Sequence, residues 1–190
     1  SYPFRFTIHH HSAEHMTRPC TLLLSCLLFF AVPLMFAQSA RTSRAVRVNG
    51  TITVDGRVDE PAWSQADVVD APLEVDPREN TPAGQRTDIR ILYSQDALYV
   101  SFVCHDSDMT QLRSHISDRD RMYSDDYTIL IIDTYGDAQR AYEFMVNPAN
   151  VQGDALRAGD NEDESYEMIW QSATSVNDSS WIVEMAIPFK

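Results

Sequence analysis

The sequence predicts an all-β fold, an antiparallel β-sandwich of the immunoglobulin or jelly-roll kind. Short runs of residues either alternate between apolar and polar side chains or are rich in β-branched residues. Turn-forming residues interrupt these runs about every eight to twelve positions, a rhythm typical of sandwiches and barrels. Only the stretches 60–66 and 109–116 look helical. Pro61 suits the first turn of a helix, where its missing N–H costs nothing.

The expected strands follow in chain order from this pattern. They are Ala45–Val48, Thr51–Val54, Thr87–Tyr93, Leu98–Cys104, Tyr127–Thr134, Ala141–Asn147, Ile169–Ser175 and Ser180–Ile187. Residues 94–97 and 177–180 are expected to be tight hairpin connections. The strand from Tyr127 is apolar on both faces, which predicts a position in the centre of a sheet. The acidic run 160–164 is expected to be a solvated loop.

The first 37 residues are set apart from this fold. Residues 1–15 are interpreted as translated sequence upstream of a true start at Met16, so the histidines there are not counted as a metal site. Residues 16–37 combine a start methionine, Arg18 and an uncharged apolar stretch, which predicts a secretory signal peptide. A retained N-terminal anchor and lipid attachment at Cys26 are the alternatives. The exported part, 38–190, is expected to be one domain located in the periplasm, the outer membrane or outside the cell.

The end of the chain predicts a truncated domain. Residues 187–190 follow a strong strand directly, with nothing polar after them. The last strand of the sandwich is therefore expected to be followed by further sequence in the natural protein.

Charge and cysteine content restrict the partners. With 28 acidic and 15 basic residues, the net charge of −13 argues against nucleic acid and anionic lipid surfaces, and is compatible with neutral sugars and divalent cations.

Of the three cysteines, only Cys104 lies beyond the signal peptide, so no intrachain disulfide is expected there. Alternation places Cys104 on one face with Leu98, Val100 and Phe102, which predicts a buried, inert thiol.

Four motifs in a fixed order resemble the family 9 carbohydrate-binding modules. They are residues 54–63 (VDGRVDEPAW), 87–106, 125–133 with 144–147, and 181–189 (WIVEMAIPF). The likeness covers residues 46–190. It implies a β-sandwich that often binds calcium and is attached to xylanases or to bacterial envelope proteins. This variant looks most like the N-terminal domain of long outer-membrane proteins, in which a covalently continuing β-barrel follows.

Most residues of these motifs are expected to serve the fold. Asp55 and Gly56 can form a turn, and Asp59 can cap the short helix through its side-chain oxygen. Trp63 is expected to pack into the sandwich, and Trp181 alternates with other apolar residues and is expected in the core.

The resemblance also implies a sugar site, of which Tyr123 is the aromatic member. Sugars bind with a ring face against an aromatic side chain and with polar groups on the hydroxyls. In sugar-binding relatives one aromatic residue stands just before the central strand, and Tyr123 occupies that place. The two polar positions of the family fall at Ile129 and Met145, which are apolar. The second aromatic would lie beyond Lys190. Non-catalytic binding of a polysaccharide or oligosaccharide, in its recognition or catabolism, is the leading prediction.

A dense charged cluster precedes the strand that starts at Tyr127. Arg119, Arg121 and Asp126 are the candidates for a ligand cleft beside Tyr123. Asp118, Asp120 and Asp125 are the candidates for a calcium site, because hard cations prefer oxygen ligands. The alternative is a surface network of ion pairs that fixes the loop.

Three other functions are weighed against sugar binding. For an enzyme, Glu143 and Glu184 are available carboxylates, but nothing distinguishes them, and glycoside hydrolase activity of the xylanase type would belong to the full-length protein. A haem-binding electron-transfer sandwich would need ligands such as Met145, Met168 and His105. The third alternative is a structural or interaction domain that precedes an outer-membrane barrel and has no sugar ligand.

Overall fold

A computed structural model describes residues 42–74, 81–159 and 161–189 as two packed β-sheets with two short 3₁₀ turns. The predicted upstream segment, 1–15, and the predicted signal peptide, 16–37, lie outside the described residues, as do Asp160 and Lys190. Within the described ranges, the structure contains no helix of the length and apolarity that a membrane crossing needs. The all-β sandwich predicted from the sequence is confirmed.

The larger sheet has six strands. In spatial order they are β1 (Val46–Arg47), β5 (Thr87–Tyr93), β6 (Ala97–His105), β12 (Ser180–Pro188) and β11 (Gln171–Val176), with β2 (Val69–Asp70) also paired to β5. All of these pairs are antiparallel except β1 with β5. The predicted hairpins are present, since the Ser94 N–H donates to the Ala97 carbonyl and the Asn177 N–H donates to the Ser180 carbonyl.

The smaller sheet has four antiparallel strands. In spatial order they are β10 (Asn161–Asp163), β9 (Gln152–Ala158), β8 (Arg140–Val146) and β7 (Thr128–Ile132). A separate two-stranded ribbon is formed by β3 (Leu73–Glu74) and β4 (Thr81–Pro82). The 3₁₀ turns are Trp63–Gln65 and Met109–Gln111, so both predicted helices are shorter than expected.

The main core lies between the two sheets. Alternate residues of β6 and β12 meet alternate residues of β7 and β8 there, as period-two strands require. Its most buried members are Val100, Leu130, Phe144, Val146, Val183 and Met185. The predictions for Trp181 and Cys104 are confirmed, because both are buried in this cluster. Burial raises the pKa of the Cys104 thiol to about 12, which keeps it in its unreactive form.

A second apolar cluster covers the other side of the six-stranded sheet. The segment before β2 folds back over the sheet and packs Trp63 against Leu92, Tyr99 and Ala186. Trp63 is only 1% exposed, but it lies on this outer side and not between the sheets. The expected cap of the short helix is absent, since Ala62 occupies the cap position without a side-chain hydrogen bond.

Glu184 explains why this segment folds onto the sheet. Its Oε2 accepts hydrogen bonds from the backbone N–H groups of Asp55 at 2.9 Å, Gly56 at 2.8 Å and Arg57 at 3.2 Å. Its Oε1 accepts from Trp63 Nε1 at 3.0 Å. Burial raises the pKa of Glu184, and these donors oppose that shift. The buried carboxylate of Glu184 therefore holds the whole turn. Because its oxygens already accept these hydrogen bonds, Glu184 is not a free carboxylate.

Two strand predictions are wrong for identifiable reasons. Residues 51–54 form no strand among the described residues, and the Thr53 N–H donates to Glu60 Oε1 instead. The strand β7 lies at the end of the smaller sheet and not at its centre. Both of its faces are nevertheless covered: Leu130 by the main core, and Ile129 by a cluster around Met122. The strand β7 is apolar on both faces because both faces are covered.

Candidate functional site

The side of the four-stranded sheet that faces away from the main core carries the predicted sugar-site positions. Register places Ile129 opposite Met145 and Met145 opposite Gly153, while Ile131 lies opposite Glu143 and Glu143 opposite Ala155. Arg157 follows on the same face of β9, opposite Glu162 of β10. We call this surface, formed by residues 129, 131, 143, 145, 153, 155, 157 and 162, the outer face.

One end of the outer face is covered by the segment 118–127. Met122 is 1% exposed and packs with Met145 and Val151. A Cβ atom at Gly153 would lie 3.0 Å from Met122 Cε and 3.1 Å from Asp120 Oδ1, so glycine permits this close approach. The Asp154 N–H donates to Asp120 Oδ1 at 2.9 Å, and the Asp120 N–H donates to the Gln152 carbonyl at 3.2 Å. The segment that carries Tyr123 is thereby attached to β9.

Tyr123 presents a partly exposed aromatic ring beside the outer face. The residue is 45% exposed. Its hydroxyl donates to Glu164 Oε1 at 2.8 Å, and its ring meets the Tyr127 ring edge-on at 6.1 Å between centroids. Burial and the hydrogen bond to Glu164 raise the pKa of the Tyr123 hydroxyl. The Tyr123 ring is therefore fixed in position and its hydroxyl stays uncharged, while part of the ring surface remains open to a ligand.

A ladder of charged side chains crosses the outer face next to these tyrosines. Arg157 pairs with Glu143 of β8 and with Glu162 of β10. The exposed fraction of the side chain rises along the ladder, from 1% for Glu143 to 22% for Arg157 and 39% for Glu162. Burial raises the pKa of Tyr127, and the charges of Glu162 and Glu143 add to that effect. Guanidinium and carboxylate groups are thus within reach of whatever contacts the tyrosines.

Arg119 is held in a network of its own. Its Nη2 donates to Asp154 Oδ1 at 2.5 Å, its Nη1 donates to Gln152 Oε1 at 2.9 Å, and its Nε lies 3.0 Å from Glu167 Oε2. Asp154 is nearly fully buried, and it also accepts the Met168 N–H. Arg119 therefore positions the segment that bears Tyr123.

Asp125 and Asp126 fasten the loop before β7. Asp125 accepts hydrogen bonds from the His115 N–H at 2.8 Å, from His115 Nδ1 at 2.6 Å and from Asn147 Nδ2 at 2.8 Å. Burial alone would raise the pKa of Asp125, but these hydrogen bonds outweigh it and lower the pKa below its ordinary range. Asp126 accepts from the Arg113 N–H and from its guanidinium.

The structure brings together only part of the predicted site. Asp120 lies near Arg119 through Asp154, whereas Asp118 and Arg121 are exposed on the surface. Asp125 belongs to the His115 network. The predicted calcium ligands Asp118, Asp120 and Asp125 therefore do not converge as a group of three.

A different group of carboxylates offers oxygen atoms at one place. Oxygens of Asp120, Asp154 and Glu167 lie within 4.8 Å of one another. Oxygen donors suit a hard cation, but the Arg119 guanidinium already pairs with two of these three residues. Arg119 offsets one of the three carboxylate charges and occupies oxygen atoms that a cation would need, so calcium would have to displace it.

The three residues weighed for haem lie in different surroundings. Met145 is buried in the cluster with Met122 and Val151, while Met168 packs against the main core. His105, at the end of β6, lies 3.5 Å from Asp88. This arrangement gives no support to a haem site.

Several residues on or beside the outer face were missed by the sequence analysis. Tyr127, Arg157, Glu162 and Glu164 were not nominated, and Glu143 was considered only as a possible catalytic group. The alternation of β8 already places Glu143 on one face with Met145. Arg157 could not be placed because β9 was not predicted.

Comparisons with known proteins agree with the fold described above. A family model described as "Carbohydrate family 9 binding domain-like" matches residues 54–190. A search of the curated proteins finds no match.

The fold is also similar to that of solved structures. One is a family 9 carbohydrate-binding module from Caldicellulosiruptor kristjanssonii in complex with cellotriose, at 19% identity and a TM-score of 0.54, over 76% of this chain and 67% of that chain. Its complex with glucose matches at 19% identity and 0.54, over 77% and 70%. A protein from Bacteroides uniformis matches at 17% identity and 0.59, over 76% and 71%. At such identities the likeness shows a shared fold.

Proposed function

The chain belongs to the carbohydrate family 9 binding domain-like family, and on that premise we propose that it binds neutral glycans through the outer face. The ligand is a polysaccharide or oligosaccharide, and the role is recognition without catalysis. A ring face of the sugar stacks on Tyr123, and its hydroxyl groups bond to the charged ladder.

The observation that carries this proposal is the fixed, partly exposed ring of Tyr123. A tyrosine held through its hydroxyl by Glu164 and through its edge by Tyr127 loses little conformational freedom on binding a ligand. The solved relatives contain cellotriose and glucose, which are neutral sugars. A net charge of −13 is compatible with ligands of that class.

The polar contacts to the sugar would differ from those of the sugar-binding relatives. Ile129 and Met145, at the family's two polar positions, pack with Met122 and leave that part of the face apolar. The ladder of Glu143, Arg157 and Glu162 lies further along the same face. Ionised groups make strong hydrogen bonds to hydroxyls, so Arg157 and Glu162, the partly exposed members of the ladder, supply the polar half of the proposed site, and the buried Glu143 orients Arg157.

Replacing Tyr123 by alanine is expected to weaken glycan binding at least tenfold, because the stacking surface is lost. A tenfold change corresponds to about 1.4 kcal/mol, a modest loss for an aromatic contact residue. We would measure it by affinity electrophoresis in native gels that contain xylan or a soluble cellulose derivative, in which this acidic protein of pI 4.7 migrates freely.

The matched control for this experiment is Tyr135→Ala. Tyr135 is 71% exposed and lies in the turn between β7 and β8. It should retain the mobility shift of the wild type. Equal binding by Tyr123→Ala and the wild type would overturn the placement on the outer face. If no glycan retards the folded wild type, the better account is a structural or interaction domain.

We also propose a setting for this function, from the sequence alone. The apolar segment within 16–37 supports export, with the domain placed in the periplasm, the outer membrane or the extracellular space. The resemblance to the N-terminal domains of long outer-membrane proteins supports a covalent continuation into a barrel. Glycoside hydrolase activity would then belong to another part of the full-length protein.

Calcium remains a prediction of the resemblance, for which the sequence analysis nominated Asp118, Asp120 and Asp125. Because those three do not converge, the experiment addresses the group of Asp120, Asp154 and Glu167. Calcium would have to displace Arg119 from Asp154, so we expect it to raise the melting temperature of Arg119→Met by several degrees and that of the wild type by less. The variant leaves the carboxylates without the guanidinium, and a bound cation would compensate. Scanning calorimetry with calcium and with a chelator tests this. No response to calcium in either protein would contradict the prediction.

A further inference from the structure

A wide, open cavity of about 640 Å³ lies at one end of the sandwich, and Tyr123 is not among its lining residues. The segment before the first 3₁₀ turn, the loop around Ile116, the β8–β9 turn and the start of β11 meet there. Small-molecule sites typically enclose ~300–1,000 Å³, so the cavity has the size of a ligand site. We call it the end cavity.

The chemistry of the lining points to a neutral ligand. None of the eleven lining residues is Asp, Glu, Lys or His, in a chain that carries 28 acidic residues. Arg119 is the charged member, and Asp154 and Glu167 already neutralise it. A charged ligand would find no free opposite charge among these lining residues.

The polar groups of the end cavity are arranged in advance. Gln152 Nε2 donates to Ser172 Oγ at 2.9 Å, and Ser172 Oγ donates to Asn150 Oδ1 at 2.8 Å. Asn150 Nδ2 in turn donates to the Ser172 carbonyl at 3.3 Å. Gln152 Nε2 also donates to the Trp170 carbonyl at 3.4 Å, and its Oε1 accepts from Arg119 Nη1 at 2.9 Å. Asn150 Nδ2 therefore has a second hydrogen for a ligand, whereas Gln152 has only the second lone pair of its Oε1. Such groups recognise hydroxyls, which both donate and accept.

Apolar surface complements these amides. The side chain of Ile116 lines the opening and is 90% exposed, although an apolar side chain is more stable when it is covered than when it faces water. Trp170 also borders the cavity, but its ring packs into the main core against Phe144. Ile116, Val54 and Ala149 are the apolar lining residues that remain for a ligand.

From these observations we infer a second binding site, in the end cavity, for a neutral sugar unit of a glycan. A sugar ring has hydroxyls for Asn150, Gln152 and Ser172 and an apolar face for Ile116. The inference rests on the proposed function for the ligand class, but it uses none of the residues of the outer face. A chain with two sites can hold two segments of one glycan, which raises its apparent affinity for polymers above that for short sugars.

The test is a titration of the ¹⁵N-labelled protein with cellotriose, followed through backbone amide shifts. Two sets of shifts are expected, one at Asn150 and Ser172 and one at Arg157 and Glu164. Gln171→Trp should weaken the first set at least tenfold, because Gln171 is exposed, lines the cavity and would fill it as tryptophan. Gln139→Trp, at an exposed loop position outside the cavity, is the matched control. Ile116→Ser removes the exposed apolar wall without touching the core and should weaken the same set.

The outcomes separate the two sites. Tyr123→Ala should move the shifts at Arg157 and Glu164 to at least tenfold higher cellotriose concentration and leave those at Asn150 and Ser172 unchanged. Shifts at the outer face alone would overturn the second site and leave the proposed function standing. Shifts at the end cavity alone would overturn the outer-face proposal and support the second site. A folded protein with no shifts anywhere would overturn both.

Discussion

Replacing Glu184 by alanine is expected to lower the free energy of unfolding by about 4 kcal/mol, at the upper end for single substitutions. The variant leaves three N–H donors without their acceptor, the backbone of Asp55 and Gly56 and the indole of Trp63, while the Arg57 N–H keeps its hydrogen bond to Asp55 Oδ1. A buried donor left unpaired costs about 1–3 kcal/mol, although water can reach part of the opened turn. The segment that covers the six-stranded sheet should therefore loosen.

Denaturant unfolding, followed by tryptophan fluorescence, measures this effect. Glu167→Ala is the control, since Glu167 is a 61% exposed carboxylate that pairs with Arg119 at the surface. Exposed pairs contribute ~0–1 kcal/mol, so this variant should stay close to the wild type. If Glu184→Ala lost no more than Glu167→Ala, the assigned role of Glu184 in holding the turn would be wrong.

Replacing Gly56 by alanine is expected to cost about 3 kcal/mol. Gly56 has a φ of +82°, and a Cβ atom there would lie 2.7 Å from the carbonyl carbon of Thr174 and 2.8 Å from its oxygen. Both contacts are with the backbone of β11, which has no rotamer to change. The cost therefore combines the strain of a left-handed backbone with a displacement of the turn from the sheet.

Gly136→Ala separates these two contributions. Gly136 has a φ of +67°, with nothing within 4 Å of its Cβ position. Only the backbone strain applies, about 1 kcal/mol. Thermal unfolding of both variants measures the difference. Equal losses of stability in the two variants would mean that a Cβ atom at residue 56 does not clash with β11 as described.

The fold could be predicted from the sequence wherever local alternation was strong. The hairpin β5–β6 and the strand β12 have a clean period of two, and their bounds are close to those expected. The strand β9 was missed, because Gly153 and Asp154 interrupt its pattern. Asp154 is tolerated in the interior because Arg119, 35 residues earlier, pairs with it. No local pattern contains that information.

The candidate site was predictable only at its aromatic member. Tyr123 was found through its place before β7, but its partner Glu164 follows 41 residues later and depends on the unpredicted strands β9 and β10. The aspartates of the charged cluster looked alike in the sequence. The structure divides them between the His115 loop, the Arg119 network and the open surface. Burial, which the sequence does not specify, separates these roles.

A calorimetric titration of the protein with cello-oligosaccharides and xylo-oligosaccharides tests the central claim most directly. We expect saturable heat with at least one of these neutral glycans, and a loss of affinity in Tyr123→Ala but not in Tyr135→Ala. The absence of heat with every glycan, from a protein whose unfolding transition shows that it is folded, would contradict the claim that this surface binds carbohydrate.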